Sequence, residues 1–212
     1  MLTTIVIIIL SYLLGSIPFG IIIGKIWKGI DVRNHGSKSA GFTNVHRVIG
    51  TAPAIIVLVL DIAKGMIAVL LLAHINFGTA SMNIIDLEVL AGALVIVGHV
   101  LPVFFGFRGG KGIATGLGVL WSIIPVEVSM ALILFLIIVA LTRYVSLGSL
   151  SASFFIVLAL SFEKYYLKTE VPSLLFIMIV FLTAFIFYNH RSNIRRLLNG
   201  SENRFGMKNR VD

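Results

Sequence analysis

The sequence contains no cysteine, which excludes a disulfide framework, thiolate metal ligands and a cysteine nucleophile. Charge is also scarce, since Asp, Glu, Lys and Arg make up 12% of the chain, against about 25% in a soluble domain. Acidic residues are the scarcer kind, with 9 Asp and Glu against 17 Lys and Arg. Apolar residues are abundant instead, at 58% of the chain with a mean hydropathy of +1.04. This composition predicts an all-α integral membrane protein with short loops.

Apolar segments of about 20 residues, the length that crosses about 30 Å of hydrocarbon, occur four times. A fifth apolar region, 113–160, is interrupted by Pro125 and by the polar stretch 142–149, which divide it into three shorter pieces. Short helices are tolerated where their ends are buried in protein or line a wet cavity. The sequence therefore predicts seven transmembrane helices, some of them short, at 3–26, 53–73, 85–105, 113–122, 126–141, 147–161 and 171–189.

The distribution of Lys and Arg predicts the orientation of these helices. Most of the 17 basic residues follow the first, third, fifth or seventh helix, whereas the opposite connections hold only Lys164 and Lys168. Cytoplasmic loops collect Lys and Arg, so we expect the amino terminus outside and the carboxyl terminus in the cytoplasm. We further expect a single polytopic membrane domain over 1–200 and a polar cytoplasmic tail over 201–212.

Four polar clusters fall on the predicted cytoplasmic face. They carry hydroxyl, amide, imidazole and guanidinium groups, and before the terminal Asp212 the only acidic residues there are Asp31 and Glu202. Donors without acceptors favour an anionic ligand, because Lys and Arg match phosphate oxygens and Arg does so with two parallel hydrogen bonds. The preference for basic cytoplasmic loops explains any single Arg, but the co-location of four clusters favours a phosphate site. The clusters are 31–47, the glycine-rich loop 103–118 with His99 just before it, 143–149 and 189–196.

The second cluster contains a glycine-rich basic segment, GFRGGKGIATGLG at 106–118. Glycine lets consecutive N–H groups converge on an oxyanion, and a helix beginning just after Gly112 would direct its positive end at the same place. The Walker pattern is absent, because Phe105 stands where its first Gly belongs and Gly112 where its Ser or Thr belongs. The spacing thus argues against nucleotide hydrolysis. It leaves two interpretations, phosphate binding and a tight turn between packed helices.

Asp61 and Lys64 lie three residues apart, on one face of the second predicted helix. A charge within the membrane indicates function by default, and the favoured alternative is a mutually neutralising pair that fixes helix packing. His99 and His190 are candidates for a general base or a phosphate ligand. No metal site is predicted, because the five His residues show no metal-ligand spacing.

Six motifs follow one another along the chain: GSIPFG (15–20), GSKSAGFTNVHR (36–47), LDIAKG (60–65), GHVLPVFFGFRGGKGIATGLG (98–118), RYVSLGS (143–149) and HRSNIRRLLNGSENRF (190–205). In this order they resemble the bacterial membrane-integral glycerol-3-phosphate acyltransferases that use acyl phosphate, the PlsY family. The resemblance covers nearly the whole chain, and its specific part is the H-x-x-P-V-F-x-G-F-x-G-G-K-G block that begins at His99. One loop departs from the family pattern GSGNxGATN, because Lys38, Ser39 and Phe42 replace a Gly, an Asn and an Ala.

The resemblance implies a multi-pass enzyme of the bacterial cytoplasmic (inner) membrane, with seven helices and its active site at the cytoplasmic face. It implies transfer of a fatty acyl group from acyl phosphate to the 1-hydroxyl of sn-glycerol 3-phosphate. The products would be lysophosphatidic acid and inorganic phosphate, at the start of phospholipid biosynthesis. Neither acyl-CoA nor an acyl carrier protein thioester would serve as donor. Acyl phosphate, glycerol 3-phosphate and membrane lipid are the expected partners, and no cofactor, nucleic acid or obligate protein partner is expected.

The resemblance also assigns site residues by position within the four clusters. Five side chains match the family's polar catalytic pocket: Lys111, Arg47, Ser37, His190 and Asn193. The residues expected to bind substrate or phosphate are Gly36, Thr43, Asn44, His99, Gly109, Gly110, Gly112, Ser149 and Arg191. We expect the five catalytic side chains to hold phosphates, and the backbone of 109–112 to hold the acyl phosphate or the departing phosphate.

The sequence offers no conventional general base. Other glycerolipid acyltransferases use an H-x-x-x-x-D pair, and no His here has an Asp five places later. Acyl phosphate is already activated, and the resemblance suggests that its phosphate accepts the proton of the attacking hydroxyl, so that the protein mainly positions two anions and stabilises developing charge. Two other functions stay open. A transporter of an organic phosphate would place its substrate near the bilayer midplane, often between repeats, and the altered first loop suggests an inactive paralogue.

Overall fold

The computed structural model describes residues 1–76, 78 and 82–206, and every structural statement below refers to these residues. The basic tail residues Lys208 and Arg210, and the terminal Asp212, lie outside them. Within the described residues, regular structure is helical throughout. The α-helices are α1 (Leu2–Gly15), α2 (Phe19–Lys28), α3 (Phe42–Val48), α4 (Thr51–Leu70), α5 (Ile84–Val100), α6 (Ile113–Ile123), α7 (Pro125–Thr142), α8 (Val145–Phe162), α9 (Ser173–Asn189) and α10 (Arg191–Leu198). Short 3₁₀ turns occupy Val32–Asn34, Leu72–His74 and Val103–Phe105, and a π-helical turn occupies Glu163–Leu167.

Five helical segments of the described chain are long and apolar enough to cross a membrane. A sixth is added if α9 and α10, which meet at a bend of 60°, form one broken span. The helix α6 has 11 residues and corresponds to the short helix predicted at 113–122. The prediction of an all-helical chain with membrane-length helices is confirmed for these residues, whereas the count of seven spans and their orientation stay predictions. The five long segments are Leu2–Lys28, Thr51–His74, Ile84–Phe105, Pro125–Thr142 and Val145–Leu167.

Both predicted interruptions of the apolar region 113–160 are confirmed. Pro125 is the first residue of α7, where its missing N–H removes no helical hydrogen bond. At the other end of α7, Arg143 adopts a left-handed conformation with φ of 62°, and α8 begins two residues later. A left-handed residue ends a helix because the next residues leave its axis.

The first predicted span, 3–26, is confirmed as the apolar segment Leu2–Lys28, but its helix is interrupted between α1 and α2. Pro18 has no N–H and disfavours helical backbone in the residue before it. Carbonyl groups freed within a membrane need internal partners, and here they receive them from α4. The ammonium Nζ of Lys64 donates to the carbonyl oxygens of Gly15 at 3.1 Å and Ile17 at 2.9 Å.

The described residues form two compact units, residues 1–123 and residues 124–206. In the first unit, α4 packs on α6 and α1 packs on α5, with α2 and α3 against α4. At the α4–α6 crossing, a Cβ on Gly65 or Gly118 would collide with a backbone carbonyl of the facing helix, so these glycines permit the close approach. In the second unit, α8 packs between α7 and α9, and α10 contacts α8 and α9. The single domain predicted over 1–200 stays a prediction.

Candidate functional site

The first polar loop, residues 31–41, is organised by the buried side chain of Asn44 on α3. Its Oδ1 accepts a hydrogen bond of 2.8 Å from the N–H of Ser37. Its Nδ2 donates to three carbonyls of the loop, those of Val32, His35 and Ser39, at 2.9, 3.2 and 2.9 Å. This amide therefore fixes the course of the loop and the place of Ser37, while the predicted contact of Asn44 with substrate stays a prediction.

The loop's two larger departures from the family pattern are accommodated differently. Lys38 is exposed and left-handed, with φ of 59°, a conformation that favours glycine. Phe42 packs against a buried apolar cluster of the first unit. Its ring also stacks on that of His46, with 6.1 Å between the centroids. Lys38 is thus placed at some cost in backbone energy, whereas the bulk of Phe42 is absorbed by apolar packing. The cluster consists of Val32, Val45, Val48, Ile49, Ala54 and Val57.

Replacing Lys38 with Gly is expected to stabilise the protein by about 0.5–1 kcal/mol, because a left-handed L-residue costs roughly that or more. Thermal unfolding of the purified protein measures the gain. Lys38→Ala is the matched control, since it removes the same side chain and keeps the strained φ. Equal unfolding temperatures for the Gly and Ala variants would show that relief of backbone strain does not stabilise the Gly variant.

Arg33 joins the first loop to the glycine-rich segment, a link that the sequence interpretation missed. Its guanidinium binds Asp31, with 2.7 Å between Nη2 and Oδ2, and its Nη1 donates to the carbonyls of Phe105 at 2.8 Å and Arg108 at 3.1 Å. The hydrogen bonds from Arg33 hold the pKa of the Asp31 carboxyl below its ordinary value of 3.8. Asp31 could have revealed this link in the sequence, because a carboxylate among so many hydrogen-bond donors requires a basic partner.

The Asp31–Arg33 pair predicts a pH dependence of stability. A carboxyl whose pKa is lowered in the folded state contributes stability above its unfolded pKa, near 3.8, and loses it as the pH falls through the folded pKa. Wild type is therefore expected to unfold at a higher temperature than Asp31→Asn above that pH, and the difference should shrink in more acid solution. Glu170→Gln, at an exposed carboxylate of the second unit, serves as the control. A difference independent of pH would contradict the assignment.

The glycine-rich segment folds back onto the carboxyl end of α5. The N–H of Gly109 donates to the carbonyl of Val100 at 3.0 Å, and the N–H of Gly110 donates to that of His99 at 3.1 Å. A Cβ on Gly109 would collide with the His99 carbonyl, and one on Gly110 with Nε2 of the His99 ring. These two glycines therefore shape the loop, and their predicted contact with phosphate stays a prediction. The helix α6 begins directly after Gly112, as predicted.

A buried cluster of charged side chains lies beneath this loop. The prediction of an Asp61–Lys64 pair is confirmed, with 2.9 Å between Oδ1 and Nζ and about 1% exposure of each residue. The Nδ1 of His99 lies 3.4 Å from the same Asp61 oxygen, a contact that the sequence did not predict. The ring of Phe19 lies 5.4 Å from the Lys64 ammonium. Burial of a charge is costly unless it is paired, and here each charged group has a partner.

Ten of the predicted site residues belong to the first unit. Arg47 lies in the last turn of α3 and is 8% exposed, and Lys111 is half-buried in the glycine-rich segment. Ser37 and Thr43 are half-buried and Gly36 is exposed, at the loop that Asn44 holds. Through Arg33, the structure links the backbone of these two segments. The remaining members are His99, Gly109, Gly110 and Gly112.

The other four predicted site residues belong to the second unit. His190 is buried at the end of α9, with Nδ1 2.8 Å from the carbonyl of Ile186, so Nδ1 carries a proton, because a carbonyl only accepts. Ser149 is buried and donates to the carbonyl of Val145 at 2.9 Å. Arg191 is exposed, with its guanidinium 4.5 Å from the Tyr188 ring centroid. The predicted substrate contacts of all four residues stay predictions.

Asn193 is the fourth of these residues, and its partner Glu202 was not predicted as a site residue. The Asn193 Nδ2 donates to Oε1 of Glu202 at 2.7 Å. The same carboxylate, whose side chain is 5% exposed, accepts from Ser146 Oγ at 2.9 Å and from Arg196 Nε at 2.7 Å. Glu202 therefore ties the segment after α10 to the start of α8. Before Asp212, the only acidic residues on the face of the four clusters are Asp31 and Glu202. That scarcity was the signal that could have drawn attention to Glu202.

The chain is similar to known proteins over nearly its whole length. Residues 5–200 match the family model described as glycerol-3-phosphate acyltransferase. A glycerol-3-phosphate acyltransferase of Chlorobaculum tepidum is 41% identical, over 99% of this chain and 100% of its own length. One from Geobacillus kaustophilus is 42% identical, over 94% of each chain. A crystal structure of PlsY (YgiH), an integral membrane glycerol 3-phosphate acyltransferase in its glycerol 3-phosphate form, superposes with a TM-score of 0.84 at 40% identity and covers 96% of both chains.

Proposed function

The chain belongs to the PlsY family of glycerol-3-phosphate acyltransferases, and from this premise we propose that its acyl donor is acyl phosphate. Glycerol-3-phosphate acyltransfer in the membrane is the activity of the family. One of its solved structures is in a glycerol 3-phosphate form and another in a lysophosphatidic acid form. These forms support glycerol 3-phosphate as the acceptor of this chain and lysophosphatidic acid as its product.

The proposal of an acyl-phosphate donor rests on the surroundings of His99. Among the described residues, the His–Asp contact at 3.4 Å joins His99 to Asp61, the arrangement that would orient a general base. However, the other ring nitrogen, Nε2, faces Gly110 so closely that a Cβ there would collide with it, and the residue is 6% exposed. An imidazole covered in this way does not reach a substrate hydroxyl. A donor that supplies its own base fits this site better than a thioester.

In the proposed reaction, the oxygen of the glycerol 1-hydroxyl attacks the acyl carbonyl carbon and forms the new ester bond. The bond between that carbon and the phosphate oxygen breaks. The hydroxyl proton goes to the phosphate, which leaves as inorganic phosphate. The protein's contribution is then to position two anions and to stabilise the charge that develops on the carbonyl oxygen.

Phosphate-holding side chains are assigned within each unit by itself. In the first unit we assign Lys111, Arg47 and Ser37 to phosphate binding, with the loop from Lys111 to the start of α6 facing the donor or the departing phosphate. In the second unit, His190 and Asn193 keep their predicted phosphate-holding role. Both acidic residues of the clusters are bound by an arginine, Asp31 by Arg33 and Glu202 by Arg196, so neither carboxylate is left uncompensated to repel an anion.

We also propose that the enzyme lies in the bacterial cytoplasmic membrane, with its amino terminus outside and its active site at the cytoplasmic face. The distribution of Lys and Arg along the chain supports this orientation. The acyl tail would lie between helices and enter from the bilayer. No cofactor is required, because the mixed anhydride is already activated.

The test uses purified full-length protein with palmitoyl phosphate and glycerol 3-phosphate. We expect lysophosphatidic acid and inorganic phosphate in equal amounts, and no product when palmitoyl-CoA replaces palmitoyl phosphate. Product from palmitoyl-CoA alone would overturn the proposed donor. Glycerol 3-phosphate flux into liposomes without any product would instead favour a transporter, and neither flux nor product would favour an inactive paralogue.

A further inference from the structure

Three buried polar side chains of the first unit, Lys64, Asp61 and His99, form a continuous series that the reaction itself does not use. At one end, the Lys64 ammonium binds the carbonyls of Gly15 and Ile17 at the break in the first span, at 3.1 and 2.9 Å. In the middle, Asp61 Oδ1 lies 2.9 Å from Lys64 Nζ and 3.4 Å from His99 Nδ1. At the other end, His99 contacts Gly110 through both its ring and its carbonyl oxygen.

We propose that Asp61 and Lys64 are positioning residues for the glycine-rich loop. Asp61 holds the imidazole of His99 from one side while Gly110 covers it from the other. Lys64 holds Asp61 in place and is itself anchored on the broken helix. The imidazole is then fixed in place and packs against Gly110. The backbone that follows, including Lys111, is therefore held in one conformation. The proposal rests on the proposed function only in assigning phosphate binding to this loop.

Packing alone does not account for this arrangement. A buried ion pair is often replaceable by apolar residues of similar volume without loss of stability, and a pair that only neutralises itself needs no third member. Here Asp61 Oδ1 faces both Lys64 and His99, and the third member touches the loop directly. Supporting groups of this kind set the precision with which a site binds its ligand.

The experiment compares wild type with Asp61→Ala, the double variant Asp61→Ala/Lys64→Met and Val69→Ala. Val69→Ala is the matched control, because Val69 is a fully buried apolar residue of the same helix, α4, five residues beyond Lys64. For each purified protein, KM and kcat are measured with palmitoyl phosphate and glycerol 3-phosphate. Amide hydrogen exchange of peptides covering 103–117 reports directly on the Gly109 and Gly110 hydrogen bonds.

Both Asp61 variants are expected to raise KM for at least one substrate by about tenfold or more, with a smaller change in kcat, because a displaced loop weakens binding. Exchange in 103–117 should accelerate in both. The double variant should unfold at a higher temperature than Asp61→Ala, since it leaves no unpaired buried ammonium. Val69→Ala should lower the unfolding temperature while keeping the wild-type KM values and loop exchange.

Two results would overturn the inference. One is wild-type loop exchange in the Asp61 variants. The other is a double variant in which KM and loop exchange both return to wild-type values, which would reduce the series to a neutralising pair. If Asp61→Ala does not fold, the double variant carries the test alone. Absence of acyl transfer by wild type would overturn the proposed function instead, and loop exchange would still test the positioning role.

Discussion

Replacing Lys111 with Ala is expected to lower acyl transfer by about 10²–10³-fold, because the loss of one group that stabilises developing anionic charge costs that much in other acyl-transfer sites. Lys111 is half-buried in the glycine-rich segment, directly before Gly112 and the start of α6. The positive end of that helix would add to the effect of the Lys111 ammonium on an anion bound at the start of α6. The measurement is lysophosphatidic acid formed from palmitoyl phosphate and glycerol 3-phosphate by equal amounts of folded protein.

Arg108→Ala is the matched control for Lys111→Ala. Arg108 is an exposed cation of the same loop, and the structure uses its carbonyl oxygen, which accepts from Arg33 and survives the substitution. We expect this variant to retain activity within about threefold of wild type, since exposed charges act weakly. Ordinary activity in Lys111→Ala, or an equal loss in both variants, would remove Lys111 from the assignment.

Gly110→Ala is expected to reduce activity by about 10²-fold or more, the effect of a displacement of about 1 Å at a catalytic site. The added Cβ would collide with Nε2 of the buried His99 ring, so either the loop or the ring must move. The unfolding temperature should fall as well, because overpacking a well-packed site destabilises by about 1–3 kcal/mol. Activity and thermal unfolding are measured on the same preparation.

Gly116→Ala provides the opposite expectation within six residues of Gly110. A Cβ on Gly116 would lie 3.8 Å from Cδ1 of Ile96, an ordinary contact, and the residue lies inside α6. Alanine in a helix interior is more stable than glycine by roughly 0.5–1 kcal/mol. The variant should therefore unfold at a slightly higher temperature and keep its activity. An equal loss of activity in Gly110→Ala and Gly116→Ala would show that the collision with His99 is not the cause of the loss.

Hydropathy and proline were sufficient to predict most of the helices. The apolar lengths gave α4, α5 and α7 to α9 within a few residues, and Pro125 and the polar stretch after α7 gave the interruptions. The break after Gly15 was missed although Pro18 was visible. Whether a proline in an apolar span ends the helix depends on partners for the freed carbonyls, and here the partner Lys64 lies 49 residues from Gly15 along the chain.

The local features of the candidate site were predictable, whereas its long-range contacts were not. The glycine-rich loop and the helix that begins after Gly112 follow from residues adjacent in sequence. The hydrogen bond from Arg33 to the carbonyl of Phe105 spans 72 residues, and the contact of His99 with Asp61 joins two different helices. Such contacts depend on how helices pack, which residue type and spacing along one chain do not specify.

The broken first span has a consequence for how the protein enters the membrane during synthesis. The carbonyls of Gly15 and Ile17 meet their partner only when Lys64 has been made and inserted. Until then, hydrocarbon around the break would leave polar backbone unsatisfied. The charged side chains of Lys64 and Asp61 are in turn costly to expose to lipid if α4 enters it without its neighbours. The two spans are therefore expected to leave the insertion machinery together, as a hairpin.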